Sequence, residues 1–358
     1  MLDGTPYNRG LVHGRTMKAE IHQVARLWKA DLAASFKVDA DTFIRRFVQK
    51  TDFVSAIKKW TPDLLQEVRG LADGSGIDFD TMLVLQLPDE CFVSGEAIAH
   101  ERCSSLGFAR SGARPACVAQ NMDTPLFTDG FQLVLHIKEA GRGLESFVLT
   151  QAGCIGLNGV NNHALGICCN ALWQLNGCRD GLPVAFIVRG VLQQHSEKDA
   201  VSFIERIKHA SGQNYVVGGP DRVYSFECSA SRVRRFQPAG RADVVWHTNH
   251  PLANDDYTTA YREASKKPNA GGPWSTEVRL NCLEERLGKR ITGFDLDVVK
   301  ATLSSHDSTD HPVCVPKGKK SVFTFASTIM LLAEQPEFHV SKGPPDINEY
   351  EVLRFGSK

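Results

Sequence analysis

Residues 13–100 lean helical, with apolar side chains recurring every three or four positions. Val12 to Phe36 carries Ile21, Val24, Ala25, Trp28 and Leu32 on one helical stripe. Asp39 to Trp60 continues the period with Phe43, Phe47, Val54 and Ile57. Thr61-Pro62-Asp63 reads as an N-cap, a proline in the first turn and an acid at the positive end of the dipole. Leu64, Leu65, Val68 and Leu71 form the apolar face that follows, and Gly74-Ser75-Gly76 stops it.

After Cys103 the period changes from helical to alternating. Ala116–Met122, Gln132–Ile137, Ser146–Thr150 and Ala164–Cys169 read as strands separated by short turns. Pro183–Gln194 and Lys198–Ala210 read as helices, the second behind Ser196 as N-cap. Strands are predicted again at Asn214–Val217, Val223–Glu227, Arg232–Phe236 and Val244–Thr248. Thr276–Leu287 and Asp295–Leu303 look helical, and Phe323–Leu332 reads as a buried late strand. Tight turns between successive strands favour antiparallel pairing. Helices grouped between strand blocks suit a layered α+β domain. The loop Lys266–Trp274 is the expected mobile segment.

The 41 basic residues balance 41 acidic ones, so no global field draws in nucleic acid or an anionic membrane, and neither is expected as a partner. Neither a signal-peptide core near Met1 nor an apolar run long enough to span a bilayer is evident, which makes a cytoplasmic protein the expectation. Ten cysteines form no C-x-x-C pair, which argues against a zinc ribbon or a thioredoxin-type site. Most are expected as buried, reduced thiols.

Cys103 stands apart because it heads the strand-rich part of the chain. Cleavage after Arg102 would free its α-amine. A thiol of reference pKa about 8.5 would then share a residue with an amine of about 7.7–8, a nucleophile and its base together. Asp123, in Gln120-Asn121-Met122-Asp123, could return by a hairpin to hold or orient that amine; a turn cap is the rival reading. Asn249, in His247-Thr248-Asn249-His250, could donate its amide to an oxyanion. Metal ligation by His247 and His250 is disfavoured, since on an extended segment the two point to opposite faces. Asn170, at the end of Cys168-Cys169-Asn170, would line a substrate pocket or cap a turn. No Walker loop, G-x-S-x-G elbow or H-E-x-x-H helix competes with the thiol.

Five motifs in order carry a family resemblance: Gly4-Thr5-Pro6-Tyr7 with Gly10 and His13-Gly14, Cys103-Ser104-Ser105, Gln120-Asn121-Met122-Asp123, Gly166–Leu172, and His247-Thr248-Asn249-His250. Together they resemble the acyl-coenzyme A:6-aminopenicillanic acid acyltransferase family, over almost the whole chain. The resemblance implies an N-terminal nucleophile hydrolase: a four-layer αββα sandwich with antiparallel sheets. It implies self-cleavage into an α chain, 1–102, and a β chain, 103–358, that stay associated within one structural domain.

The resemblance assigns Cys103 as nucleophile, Asp123 as active-site acid and Asn249 as oxyanion donor, with Arg102 and Cys103 flanking the cleaved bond. Ser104, Ser105, Asn121, Asn170 and His247 are candidate substrate contacts. No metal and no cofactor is expected. Two positions depart from the family. Arg102 stands where glycine is usual, and the stretch Lys320-Ser321-Val322-Phe323 lacks the arginine that the family's penicillin enzyme carries before its last core strand.

The expected activity is cleavage of a small amide through a Cys103 thioester, with water as acceptor. Transfer of the acyl group to an amine is the alternative, and an unprocessed, non-catalytic binding protein is the alternative of another class. The acyl group and the amine are not named by the sequence.

Overall fold

The computed structural model describes residues 1–92, 102–139, 141–266, 274–288, 295–318 and 321–356, with Arg102 described in its backbone alone. Lys320 and the interior of the 266–274 loop, both singled out from the sequence, lie outside the described residues. Seven helices come first: α1 (Pro6–Thr16), α2 (Lys18–Phe36), α3 (Ala40–Lys50), α4 (Phe53–Trp60), α5 (Pro62–Ser75), α6 (Phe79–Leu85) and α7 (Pro88–Cys91). Six strands follow: β1 (Arg102–Phe108), β2 (Ala116–Pro125), β3 (Gln132–Glu139), β4 (Leu144–Gln151), β5 (Asn158–Asn161) and β6 (Gly166–Ala171). Helices α8 (Val184–Leu192) and α9 (Glu197–Arg206) lead to β7 (Gln213–Gly218), β8 (Val223–Cys228), β9 (Val233–Phe236) and β10 (Val244–His247). Helices α10 (Thr259–Ala264), α11 (Ser275–Leu283) and α12 (Leu296–Leu303) precede β11 (Val322–Leu332), β12 (Glu337–Ser341) and β13 (Tyr350–Arg354).

The strands form two antiparallel sheets, ordered β10-β1-β2-β11-β12-β13 and β3-β4-β5-β6-β7-β8-β9. Three apolar cores separate four layers, two of sheet and two of helix. One, with Ile21, Leu64, Val68, Phe186 and Ile204, lies between the helices α1–α9 and the seven-stranded sheet. A second, with Val118, Met122, Leu149, Cys168 and Val216, lies between the sheets. The third, with Leu106, Ala119, Trp246, Leu283 and Leu303, lies under α11 and α12. This is the αββα sandwich expected. No helix among the described residues is long and apolar enough to cross a membrane.

The predicted helix from Val12 is two helices, broken at Met17. Helix α1 starts earlier than its apolar pattern suggests, because its buried face is Arg9, Gly10, His13 and Gly14 rather than aliphatic side chains. Thr5 caps it and Pro6 fills its first turn. Gly10 and Gly14 meet Gly70 and Gly74 of α5 backbone to backbone; a Cβ on Gly10 would sit 1.8 Å from the Glu67 carbonyl oxygen.

That close crossing buries an ion cluster. Arg9 donates from Nε and Nη2 to Glu67 Oε2, both at 3.2 Å, and Arg189 of α8 donates to Glu67 Oε1 at 2.8 Å and Oε2 at 3.0 Å. His13 Nε2 accepts the Gly153 N–H, and burial lowers the imidazole pKa to about 4, keeping it neutral for that role. The motif at the start of the chain is therefore explained by helix packing.

Candidate active site

Strand β1 begins at Arg102, so Cys103 is its second residue and the expected cleavage bond is the first of the strand. Pairing with β2 sets Cys103 opposite Met122 and Arg102 opposite Asp123. Side chains alternate along a strand. Cys103 and Met122 consequently face the layer between the sheets, with Sγ 3.6 Å from Met122 Sδ. Asp123 stands beside the expected cleavage bond but on the opposite face, where its Oδ1 accepts the Thr324 hydroxyl at 2.7 Å.

Cys103 lines a cavity of about 420 Å³ that runs from the ends of β1, β2 and β6 towards α2 and α7. None of the ten cysteines is in a disulfide, and nine are buried. Cys154 also lines this cavity, but burial pushes its thiol pKa up to about 12, leaving it a poor nucleophile.

Asn249, 146 residues later in sequence, closes on Cys103. Its Oδ1 accepts the Cys103 backbone N–H at 2.7 Å and an Arg279 Nη2 hydrogen at 2.9 Å. Two donors on the oxygen fix the amide orientation. Nδ2 therefore points the other way, 3.1 Å from the carbonyl oxygen of Ala171, itself a cavity residue. An amide nitrogen carries two hydrogens, so Ala171 accounts for one of them; Asn249 itself is not among the described residues that line the cavity.

Arg279 lies inside the sequence-predicted helix but was given no role there. From α11 it donates to the Cys103 carbonyl at 2.6 Å, the Ser104 hydroxyl at 3.0 Å and Asn249. Thr276, three residues earlier on the same helical face, accepts the Asn249 N–H at 2.7 Å through its hydroxyl. A single arginine on a helix sends no local signal in sequence. Only the packing of α11 on β1 and β10 reveals it.

Glu227 of β8 anchors the segment after β10. Its carboxylate accepts the Leu252, Ala253 and Asn254 N–H groups and His247 Nε2, at 2.6, 2.9, 2.7 and 2.9 Å. Burial alone would raise its pKa; His247 and the backbone donors outweigh that and hold it low.

The candidate substrate contacts do not reach the cavity. Strand alternation turns Asn121 to the outer helices, where Nδ2 donates to the carbonyls of Leu303 and Val313. His247 spends both ring nitrogens on Thr248 O and Glu227. Ser104 is held by Arg279, and Ser105 donates to Asn170 Oδ1 at 2.6 Å in a polar network between the sheets that also includes Asn214. None of these five side chains lines the cavity; their neighbours Met122, Cys169 and Ala171 do. His250, the other histidine of the motif, bonds Thr276, and burial lowers its pKa to about 4. Ligand-type atoms cluster elsewhere among the described residues, at His306, Cys314 and Asp346, where Asp346 already pairs with both others.

The family profile of acyl-coenzyme A:6-aminopenicillanic acid acyl-transferase matches residues 110–270. The Emericella nidulans acyl-coenzyme A:6-aminopenicillanic-acid-acyltransferase 40 kDa form is 24% identical over 332 residues, 91% of this chain and 86% of that one. The Dictyostelium discoideum protein dcd1A is 28% identical over 222 residues, 54% of this chain; the match spans 48% of dcd1A, about half its length. Among solved structures, the Caenorhabditis elegans N-acylethanolamine-hydrolyzing acid amidase ortholog is similar at 18% identity with a TM-score of 0.44, over 64% of this chain and 93% of that one. The resemblance carried by the five motifs stands.

Proposed function

We propose, for a chain related to the acyl-coenzyme A:6-aminopenicillanic acid acyl-transferases, an enzyme that frees Cys103 by cutting its own chain and then cleaves a small amide through that residue. The reading is supported above all by one geometry: the thiol lines the cavity while the Cys103 N–H, the future α-amine, meets Asn249 Oδ1 at 2.7 Å.

In the processed protein, residues 1–102 and 103–358 remain together through the helix and sheet layers. The freed amine takes the thiol proton as Sγ attacks the substrate carbonyl. An S–C bond forms, and the oxyanion is met by Asn249 Nδ2 and a backbone N–H. The C–N bond breaks as the amine returns its proton to the leaving nitrogen. Water then opens the thioester, giving a carboxylic acid and restoring the thiol. Arg279 acts as a positioning residue, holding both the Cys103 carbonyl and the Asn249 oxygen. The missing arginine before β11 supports water rather than an amine as acceptor.

Intact-mass analysis and turnover of wild type and Cys103→Ala test this. The wild type should give two chains beginning at residues 1 and 103, and Cys103→Ala one chain with no turnover. A fully active Cys103→Ala protein, or active wild type without a second terminus at Cys103, would sink the reading.

A further inference from the structure

Three side chains that the mechanism does not use converge outside the Cys103 cavity. His306 follows α12, Cys314 precedes β11, and Asp346 lies between β12 and β13. His306 Nε2 is 2.9 Å from Asp346 Oδ2, and Cys314 Sγ is 3.3 Å from Asp346 Oδ1. One ligand atom from each of the three lies within 4.8 Å of the other two. No local spacing announces the group, because Asp346 stands 40 residues from His306 and 32 from Cys314. The backbone around the cluster is tied together. The Cys314 N–H donates to the Ser305 carbonyl at 3.1 Å, and the Ser304 hydroxyl donates to that of Pro345 at 3.2 Å. The fold therefore holds the three side chains together before any ion arrives.

Imidazole, thiolate and carboxylate are a donor set that suits zinc. A tetrahedral ion about 2.0–2.3 Å from each atom sets neighbouring ligand atoms roughly 3.3–3.6 Å apart. The separations of 2.9 and 3.3 Å need only a small adjustment to meet it. Cys314 is fully buried, whereas the side chains of His306 and Asp346 are 42% and 24% exposed. An ion thus has a path from solvent and room for a water in its fourth position. The neighbouring Asp307 is spent on Arg286. Burial pushes the Cys314 thiol pKa up, so without an ion the sulfur is an S–H donor to Asp346.

We propose that His306, Cys314 and Asp346 bind a zinc-type divalent cation, which braces the segment behind the strand that carries Asp123. The residues flanking Cys314 make that link. The Val313 carbonyl accepts Asn121 Nδ2 at 2.9 Å, and the Val315 N–H donates at 2.9 Å to the Thr324 hydroxyl, which in turn donates to Asp123. On binding, the Cys314 S–H bond breaks, a sulfur–metal bond forms and the proton leaves to solvent. The His306 Nε2 lone pair and the Asp346 carboxylate complete the protein ligands. Nothing in this depends on what Cys103 does.

The test uses chelator-treated Cys103→Ala protein, in which the cavity thiol cannot compete for the ion. Calorimetry with Zn2+ should give one tight site per chain with release of about one proton, and zinc should raise the thermal midpoint. Co2+ in its place should show sulfur-to-metal charge-transfer absorption and the strong visible bands of a four-coordinate ion. His306→Gln alters an exposed side chain and should fold. It should weaken zinc binding at least about 100-fold, since losing even an outer partner of a ligand costs roughly 10–100-fold. Cys314→Ser should abolish the sulfur absorption, with Asp346→Asn as the second variant should the buried serine prevent folding. Absence of stoichiometric zinc, or sulfur absorption that survives in folded Cys314→Ser, overturns the proposal. So does a zinc affinity unchanged in His306→Gln, which would place the ion elsewhere, as at the surface pair His163 and His195.

Discussion

Glu67 and Glu90 are both buried glutamates of the N-terminal helices, and their surroundings drive them to opposite charge states. Glu67 is met by two arginines, from α1 and α8, and each of its oxygens has a cationic donor. Burial alone would push its carboxyl up; Arg189 and then Arg9 outweigh that and hold it below the usual carboxylate range. Glu90 is met by a backbone N–H and a serine hydroxyl, stands next to another acid, and keeps one oxygen unpaired. Burial and Asp89 together push it up. A buried acid already neutralised from within belongs to the scaffold. A buried acid without a cation beside it among the described residues is held neutral by burial and by its acidic neighbour.

The largest expected effect lies on the scaffold side. Glu67→Gln leaves two buried guanidiniums facing a neutral amide. Breaking a buried pair in this way costs about 3–5 kcal/mol. Urea unfolding at neutral pH should show that loss. A loss under about 1 kcal/mol would mean that the two clusters are not different in kind.

The sequence was most readable where a motif sits on a strand. Motifs named Cys103, Asp123 and Asn249, but the register of β1 against β2 and the bond between Asn249 and Cys103 come from the fold. Strand β11 was recognisable because eleven consecutive residues are nearly all buried. The sequence was less readable where burial is not aliphatic. Helix α1 hides because glycine, arginine and histidine form its inward face. Strand β5, Asn158–Asn161, has the composition of a turn, and β13 has an exposed, alternating pattern at the sheet edge. Arg279 and the Asp89–Glu90 pair escaped for a related reason. Each takes its meaning from elements distant in sequence: α11 against β1 for the arginine, α7 against β7 and α8 for the acids.

A smaller effect sharpens the comparison from the backbone. Gly10→Ala places a methyl group 1.8 Å from the Glu67 carbonyl oxygen, so α1 and α5 must separate. Overpacking of this kind costs about 1–3 kcal/mol. Separation moves Arg9 away from Glu67 but leaves Arg189, on another helix, in place. Thermal unfolding should therefore record a loss smaller than that of Glu67→Gln. A Gly10→Ala protein as stable as wild type would show that the ion cluster does not depend on the close helix crossing.

The smallest effect is on the stability of the unliganded protein, and it has a sign. Glu90 has a folded pKa of about 8 against an ordinary 4.5. The folded state therefore holds its proton more tightly than the unfolded chain. The stability this contributes is fully present below pH 4.5 and is lost as pH rises through about 8. Glu67 runs the other way: its contribution is present above the ordinary carboxylate pKa and is lost as pH falls through its lower folded value. Among the described residues, Asp89, Cys91 and Tyr215 are titratable groups that feel the charge of Glu90, and all three remain in Glu90→Gln. Near pH 5, where Glu90 is protonated, acid and amide differ little, and the variant should lie within about 1 kcal/mol of wild type. Towards pH 8.5 wild type must bury a second negative charge beside Asp89, and the amide need not. Urea midpoints of the two proteins should therefore diverge with rising pH in favour of Glu90→Gln. Parallel curves would mean that a cation within the fold already neutralises Glu90, which would place it with Glu67.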